Sequence, residues 1–169
     1  MKIFYPRFSF RRVTDLTVEW LKGQGISALL LDVDNTLTTH NNPEVPAEVL
    51  DWLHEMRAAG MKLLLLSNNH PARVAPFAQK LGVGFIADAA KPLGGGVKRS
   101  QKVLGETPEG IALVGDQIFT DVLCANLAGI TSILVEPMQL ESSWPFRLKR
   151  WAEQLAMRGY SRKGGAEHG

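Results

Sequence analysis

The sequence predicts an α/β protein built on a Rossmann-like, doubly wound parallel sheet, and three observations lead there. Short apolar runs alternate with amphipathic stretches through the middle of the chain. The runs read as strands buried on both faces, the usual condition of parallel strands covered by helices. Several of them end on polar or acidic residues, always at the C-terminal end. Strand–helix alternation then implies right-handed crossovers and a parallel, doubly wound sheet, for which 3-2-1-4-5 is the common and expected strand order.

"ALLLDVD", from Ala28, is the first strand. In "PAEVLDWLHEMRAAG", Pro46 suits a first helical turn, Val49, Leu53 and Met56 recur at helical spacing, and Gly60 suits the position past the end. "MKLLLLSNN" is the second strand. "HPARVAPFAQKLG" is a second helix, opened by Pro71, closed by Gly82 and kinked by Pro76. "VGFIAD" is a short third strand, and "PLGGGVKRSQKVLG" a third helix whose first turn is weakened by successive glycines. "GIALVGD", "IFTDVLCANLAG" and "ITSILVE" complete the pattern as strand, helix and strand.

The 169 residues suit one domain, 1–169, since domains commonly hold about 100–150 residues. No apolar run is long enough to cross a bilayer, and "MKIFYPRFSFRR" lacks the apolar core of a secretory leader. The single cysteine, Cys124, excludes an internal disulfide and a cysteine-based zinc site. The expected location is cytoplasmic.

The net charge of +2 is unevenly distributed. Residues 1–12 and 144–169 together carry +8, which leaves −6 for the middle. An acidic middle suits a cation site, and basic ends suit an anionic surface. The basic, aromatic segment 1–16 and the segment 141–169 share this character. In the latter, Trp144, Leu148, Trp151 and Leu155 recur at helical spacing among arginines and lysine, as in helices that lie on anionic lipid. The competing expectation is that both apolar stripes cover the sheet. Nucleic acid ranks below either, for want of any RNA-binding signature.

Asp32 ends the first strand and Asp116 the fourth, neighbours at the crevice where such sheets bind ligands. Ser67 and Asn68 end the second strand, and Lys91 follows the third. Clustered carboxylates repel one another unless a cation intervenes. Magnesium takes oxygen ligands and joins carboxylates to substrate phosphate, so the cluster points to phosphoryl transfer. "DVDNTL" is not an EF-hand, because the sixth and twelfth positions are Leu37 and Pro43 where glycine and glutamate are needed. No GxxxxGK[ST] or GxGxxG loop occurs.

With these residues the chain resembles the haloacid dehalogenase-like (HAD) phosphatases. "LLLDVDNTL", "LLLLSNN", "AKP" and "LVGDQIFTD" are similar to that superfamily's four motifs, in order. Together with the basic C-terminal segment, they resemble its YqeG-type subgroup, related to phosphatidylglycerophosphate phosphatases. The resemblance implies Mg²⁺ as cofactor and a phosphorylated substrate. It implies Asp32 as nucleophile and Asp34 as general acid and base. Magnesium would be held by Asp32, Asp116 and the main-chain carbonyl of Asp34. Ser67 and Lys91 would bind the phosphoryl group, aided by backbone around Asn68. Thr36 would steady the turn, and Asp121 would orient Lys91 or a metal-bound water.

Members of this superfamily often carry a cap domain. Here 34 residues separate Asp32 from Ser67 and 23 separate Ser67 from Lys91, too few for a cap beside the predicted elements. The site is therefore expected to be open, to a phospholipid headgroup at the inner face of a membrane or to another large phosphoester, unless a second subunit supplies a lid. A docking or scaffold protein that keeps the fold is the other class of function these residues allow.

Overall fold

The computed structural model describes residues 2–40, 42–139, 152–153 and 157. Six parallel strands form one sheet: β1 (Phe8–Phe10), β2 (Ala28–Leu31), β3 (Lys62–Leu66), β4 (Gly84–Ile86), β5 (Ile111–Gly115) and β6 (Thr131–Val135). Their order is β1-β6-β5-β2-β3-β4. The five predicted strands stand in the predicted order, and β1 adds an edge beside β6.

Every residue of β2 is buried, and its side chains divide between two cores. Leu29 and Leu31 join Leu65, Val114 and Ile133 on one face; Ala28 and Leu30 join Leu64, Leu66 and Leu113 on the other. Helices α2 (Ala47–Ala58) and α3 (Pro71–Leu81) cover the first face through Val49, Leu53, Met56, Val74 and Phe77. Helices α4 (Gly95–Leu104) and α5 (Leu123–Ala128) cover the second through Val97, Leu104 and Cys124. Burying each such leucine or valine stabilises the fold by about 1.5–3 kcal/mol.

The chain leaves β2 for β3 and β4 on one side, then returns to β5 on the other. The winding therefore reverses between β2 and β5, and the crevice lies at their C-terminal ends. Between β2 and β3 there is only a flap and α2, and between β3 and β4 only α3, so no cap domain is inserted.

Within segment 1–16, the described residues, 2–16, meet the sheet with their apolar side. Phe10, Val13 and Leu16 are buried, Phe8 and Phe10 each set a ring edge-to-face against Trp20, and Trp52 Nε1 donates to Leu16 O at 2.7 Å. Arg7, Arg11 and Arg12 remain exposed. A short helix, α1 (Val18–Gly23), follows, capped by Thr17. The predicted amphipathic pattern in 141–169 lies almost wholly outside the described residues.

Two local departures from expectation have physical reasons. The helix predicted from Ile118 opens as a π-helical turn, Ile118–Val122, before α5. Gly96, in the first turn of α4, serves close packing, since a Cβ there would lie 2.8 Å from Ala89 O, whereas a Cβ on Gly94 or Gly95 would meet nothing within 4 Å.

Candidate active site

The ladder between β2 and β5 runs up to the acids: Asp32 N donates to Val114 O at 2.9 Å, and Asp116 follows the last residue of β5. Asp121 comes from the π-helical turn, where the extra residue per turn directs its carboxyl back over β5. One oxygen from each of Asp32, Asp116 and Asp121 lies within 4.8 Å of the others. A Cβ on Gly115 would overlap the Asp121 carboxylate, so glycine is what lets that side chain lie there.

The buried Lys91 ammonium donates to Asp32 Oδ1 at 2.7 Å and to Asp121 Oδ1 at 2.6 Å. Burial pushes the Asp32 carboxyl up to about 6, against the pull of Lys91, while Asp121 and Asp34 add to the rise. Burial also opposes the charge of Lys91, but Asp121 and Asp32 outweigh it and hold the amine protonated beyond the usual lysine range. Three clustered carboxylates against one ammonium make an all-oxygen donor set with negative charge to spare. That set fits a hard divalent cation such as magnesium.

Lys91 is aimed by its backbone. Asn68 Oδ1 accepts from Lys91 N at 2.7 Å, and Asn68 Nδ2 donates to Lys91 O at 3.0 Å. The loop leading to it holds two non-glycine residues in the left-handed region, Asp88 (φ 44°) and Ala90 (φ 55°). Such backbone costs about 1–3 kcal/mol per residue and persists only where its surroundings impose it. Here Arg99 Nη2 donates to Asp88 O at 2.9 Å, Ala89 N donates to Ser67 O at 3.0 Å, and Gly96 lets α4 approach Ala89.

Asp34 points elsewhere. Its Oδ2 accepts from Asn69 Nδ2 at 2.7 Å and its Oδ1 from Arg73 Nη2 at 2.6 Å, with His40 Nδ1 at 3.7 Å. Its carboxyl thus stands apart from the other three acids and faces a cleft of about 500 Å³ between the flap and α3. Ser67 is buried at the same cleft, its Oγ accepting from Asn69 N at 3.1 Å. Thr36 Oγ1 donates to Asp32 Oδ2 at 3.4 Å, and Asn35 turns the chain at φ 61°. The flap is closed by Thr38, whose hydroxyl donates to Asn42 O and Glu44 O. His70 caps α3, its Nδ1 accepting from Ala72 N.

The fold therefore gathers Asp32, Asp116, Asp121 and Lys91 into one buried cluster, with Thr36 and Asn68 against it. Asp34 and Ser67 line the adjoining cleft. Sequence reasoning missed the side-chain grip of Asn68 on Lys91, the pairing of Arg73 and Asn69 with Asp34, and the requirement at Gly115. It also missed Glu153, a buried carboxylate whose Oε1 accepts from Ile118 N at 3.1 Å, at the start of the turn that carries Asp121. The "SNN" after β3 was a signal for the amide roles; Glu153, 35 residues from its partner, left none.

Comparison with known proteins agrees with this geometry. Residues 1–80 match the family described as mitochondrial PGP phosphatase, and residues 88–137 match the HAD-hydrolase-like family. A probable phosphatase, YqeG, from Bacillus subtilis is 32% identical over 163 residues, spanning 96% of this chain and 95% of that protein. The chloroplastic/mitochondrial phosphatidylglycerophosphate phosphatase 1 of Arabidopsis thaliana is 24% identical over 94% of this chain, which spans about half (49%) of that relative. In fold, the chain is similar to the cobalt-bound deoxy-D-mannose-octulosonate 8-phosphate phosphatase of Haemophilus influenzae. Its TM-score is 0.56 at 14% identity, over 81% of this chain and 90% of that one.

Proposed function

This chain belongs to the YqeG-type phosphatases of the HAD superfamily, and from that premise we propose that it is a magnesium-dependent phosphomonoesterase acting through an aspartyl-phosphate on Asp32. The observation that carries the reading is the Lys91 ammonium held between Asp32 and Asp121, with Asp116 in the same cluster. Asp32, Asp116 and the main-chain carbonyl of Asp34 would hold the metal ion, and Asp121 would orient Lys91. The chemistry such an ion would supply there is neutralisation of charge on the phosphoryl group and on Asp32.

The chain's residues then divide two displacements. The ionised Asp32 attacks phosphorus and the ester P–O bond breaks. The leaving oxygen takes its proton from Asp34, which borders the cleft where that oxygen would lie. Water next attacks the phosphorylated Asp32, giving its proton to Asp34 as the acyl phosphate P–O bond breaks. Inorganic phosphate leaves and both carboxyls return to their starting state. Ser67 and Lys91 donate to the non-bridging oxygens throughout, which favours the charge developing in transfer. In the ligand-free chain both oxygens of Asp34 face N–H donors. To carry a proton, Asp34 must exchange one of those contacts.

The proposed substrate is phosphatidylglycerophosphate met at a membrane surface. Three things support it: the likeness to phosphatidylglycerophosphate phosphatases, the absence of a cap domain, and the exposed Arg7, Arg11 and Arg12 outside a segment whose apolar side is buried. Among the described residues, no helix is long and apolar enough to cross a membrane, so contact would be peripheral.

The test compares wild type and Asp32→Asn on phosphatidylglycerophosphate in micelles and on soluble phosphomonoesters, with magnesium. Wild type is expected to release phosphate from the lipid and the variant from nothing. Substantial release by the variant would remove Asp32 as nucleophile. Release from soluble esters alone would remove the lipid, and no release from any ester would favour a docking protein.

A further inference from the structure

We infer that the cleft between the flap and α3 is the leaving-group site, and that Arg73 and Lys80 in it select alcohols bearing a second anion, a phosphodiester. The inference deepens the phosphatase reading and rests on it.

Asp34 lines this cleft and is the residue that would meet the leaving oxygen, so the alcohol would extend along the cleft wall. At about 500 Å³ the cleft exceeds what a phosphoryl group needs and falls within the roughly 300–1,000 Å³ that holds a small organic ligand. Val33, Val74 and Phe77 give it an apolar lining that suits carbon rather than water.

Its charge is one-sided. Arg73, Phe77 and Lys80 follow one another at four and three residues, so they share a stripe of α3. The two cations stand about 10 Å apart along the axis, at a rise of about 1.5 Å per residue. Helix α3 carries no acid in its eleven residues. Both cations reach across to the flap: Arg73 to Asp34 at 2.6 Å, and Lys80 to Glu44 Oε2 at 3.1 Å. The Lys80 pair is solvent-accessible, with Lys80 47% and Glu44 76% exposed, whereas Arg73, 40% exposed, meets an Asp34 side chain that is only 15% exposed. Exposed ion pairs contribute about 0–1 kcal/mol, so an entering anion exchanges with Glu44 for Lys80 at small cost. Positioning Asp34 needs only Arg73. A second cation two turns along the same apolar wall is what an anion beyond the reacting phosphate requires.

Hydrolysis by wild type, Lys80→Ala and Lys80→Glu is to be compared on three probes. These are glycerol 3-phosphate, which lacks a second anion, the deacylated phosphatidylglycerophosphate headgroup, and the intact lipid in micelles. In wild type, kcat/KM for the headgroup is expected to exceed that for glycerol 3-phosphate at least tenfold. Lys80→Ala should cut that ratio about 5- to 20-fold, as for loss of one charge-assisted contact, and Lys80→Glu further. Added salt should lower the wild-type ratio. A wild-type ratio near one, or a ratio that neither variant moves, overturns the inference and leaves the phosphatase reading standing. No hydrolysis of any probe by folded, magnesium-loaded wild type overturns both. If the ratio behaves as expected, comparing headgroup with intact lipid distinguishes a soluble diester from a membrane one.

Discussion

Replacing Asp32 with asparagine should abolish activity and yet make the metal-free protein more stable. Burial, with a smaller push from Asp121 and Asp34 and against the pull of Lys91, raises the Asp32 carboxyl to about 6 from an unfolded value near 4. A rise of one pH unit is worth about 1.4 kcal/mol, so ionised Asp32 costs the fold up to about 3 kcal/mol. Asparagine removes that cost but weakens one of the two acceptors of Lys91, leaving a gain of about 1–3 kcal/mol. For a chain of this length, 1 kcal/mol moves Tm by about 2–4 °C, so Asp32→Asn should melt about 2–12 °C higher in EDTA at pH 8.

The pH dependence carries the sign. A carboxyl raised on folding stabilises the fold while protonated in the native state. That contribution is fully present below the unfolded pKa, and it is lost as pH rises through about 6. The advantage of the variant should therefore be absent below pH 4, grow between about 4 and 6, and be constant above 7. Magnesium should raise the Tm of wild type more than that of the variant, because a ligand that binds only the native state stabilises it by mass action. Thermal melts by circular dichroism at pH 4, 6 and 8, with EDTA and then with magnesium, measure all of this. A wild type that melts higher in EDTA at pH 8, or a difference independent of pH, would refute the electrostatic account of the cluster.

Gly115→Ala should drive the Asp121 carboxylate off β5, lowering kcat at least a hundredfold; overpacking of about 1–3 kcal/mol should appear as a lower Tm. An active Gly115→Ala enzyme would mean that Asp121 can act from another position. Asn68→Ala removes both contacts to the Lys91 backbone and should lower kcat about tenfold with KM nearly unchanged, whereas Asn68→Asp keeps the acceptor for Lys91 N and should retain more activity. Steady-state kinetics on one soluble ester distinguish these outcomes. Glu153→Gln keeps an acceptor for Ile118 N and should be nearly silent, while Glu153→Ala leaves that donor unmet and should lower both kcat and magnesium affinity. Equal effects of the two would assign Glu153 a role through charge.

Strands β2 to β6 were legible because each is an apolar run that a polar residue follows within two positions, and because alternation with helices admits few topologies. The buried cluster followed from the same logic, since a strand's end fixes where its next residue lies. β1 was not legible: Phe8–Phe10 is too short to show a period, and its flanking arginines read as a basic segment. Nor was α1, six residues long, or the π turn, which has the same composition as an α turn. The orientation of Asp34 depends on a flap and on the first turn of another helix, so sequence placed its carboxyl beside Asp32 in the chain without saying where it turned. Asp121 was expected to orient Lys91 or a water, and it meets Lys91 directly at 2.6 Å.

The two halves of the site are held in different ways, and this bears on how such an enzyme changes substrate. Asp32, Asp116, Asp121 and Lys91 are buried and interlocked: Asn68 grips Lys91, Gly115 admits Asp121, and strained backbone at Asp88 and Ala90 is fixed by α4. A change to any of these must disturb the others, whatever ester is bound. The cleft beyond Asp34 is bounded by α3 and a flap joined to it by the ion pairs of Arg73 and Lys80. Lys80 touches no member of the buried cluster, so its replacement can alter which alcohol is accepted while the transfer chemistry remains. If substitutions at Lys80 and at Asn68 reduced activity on every ester by the same factor, this separation would be wrong, and the leaving group would have to lie against another face of the site.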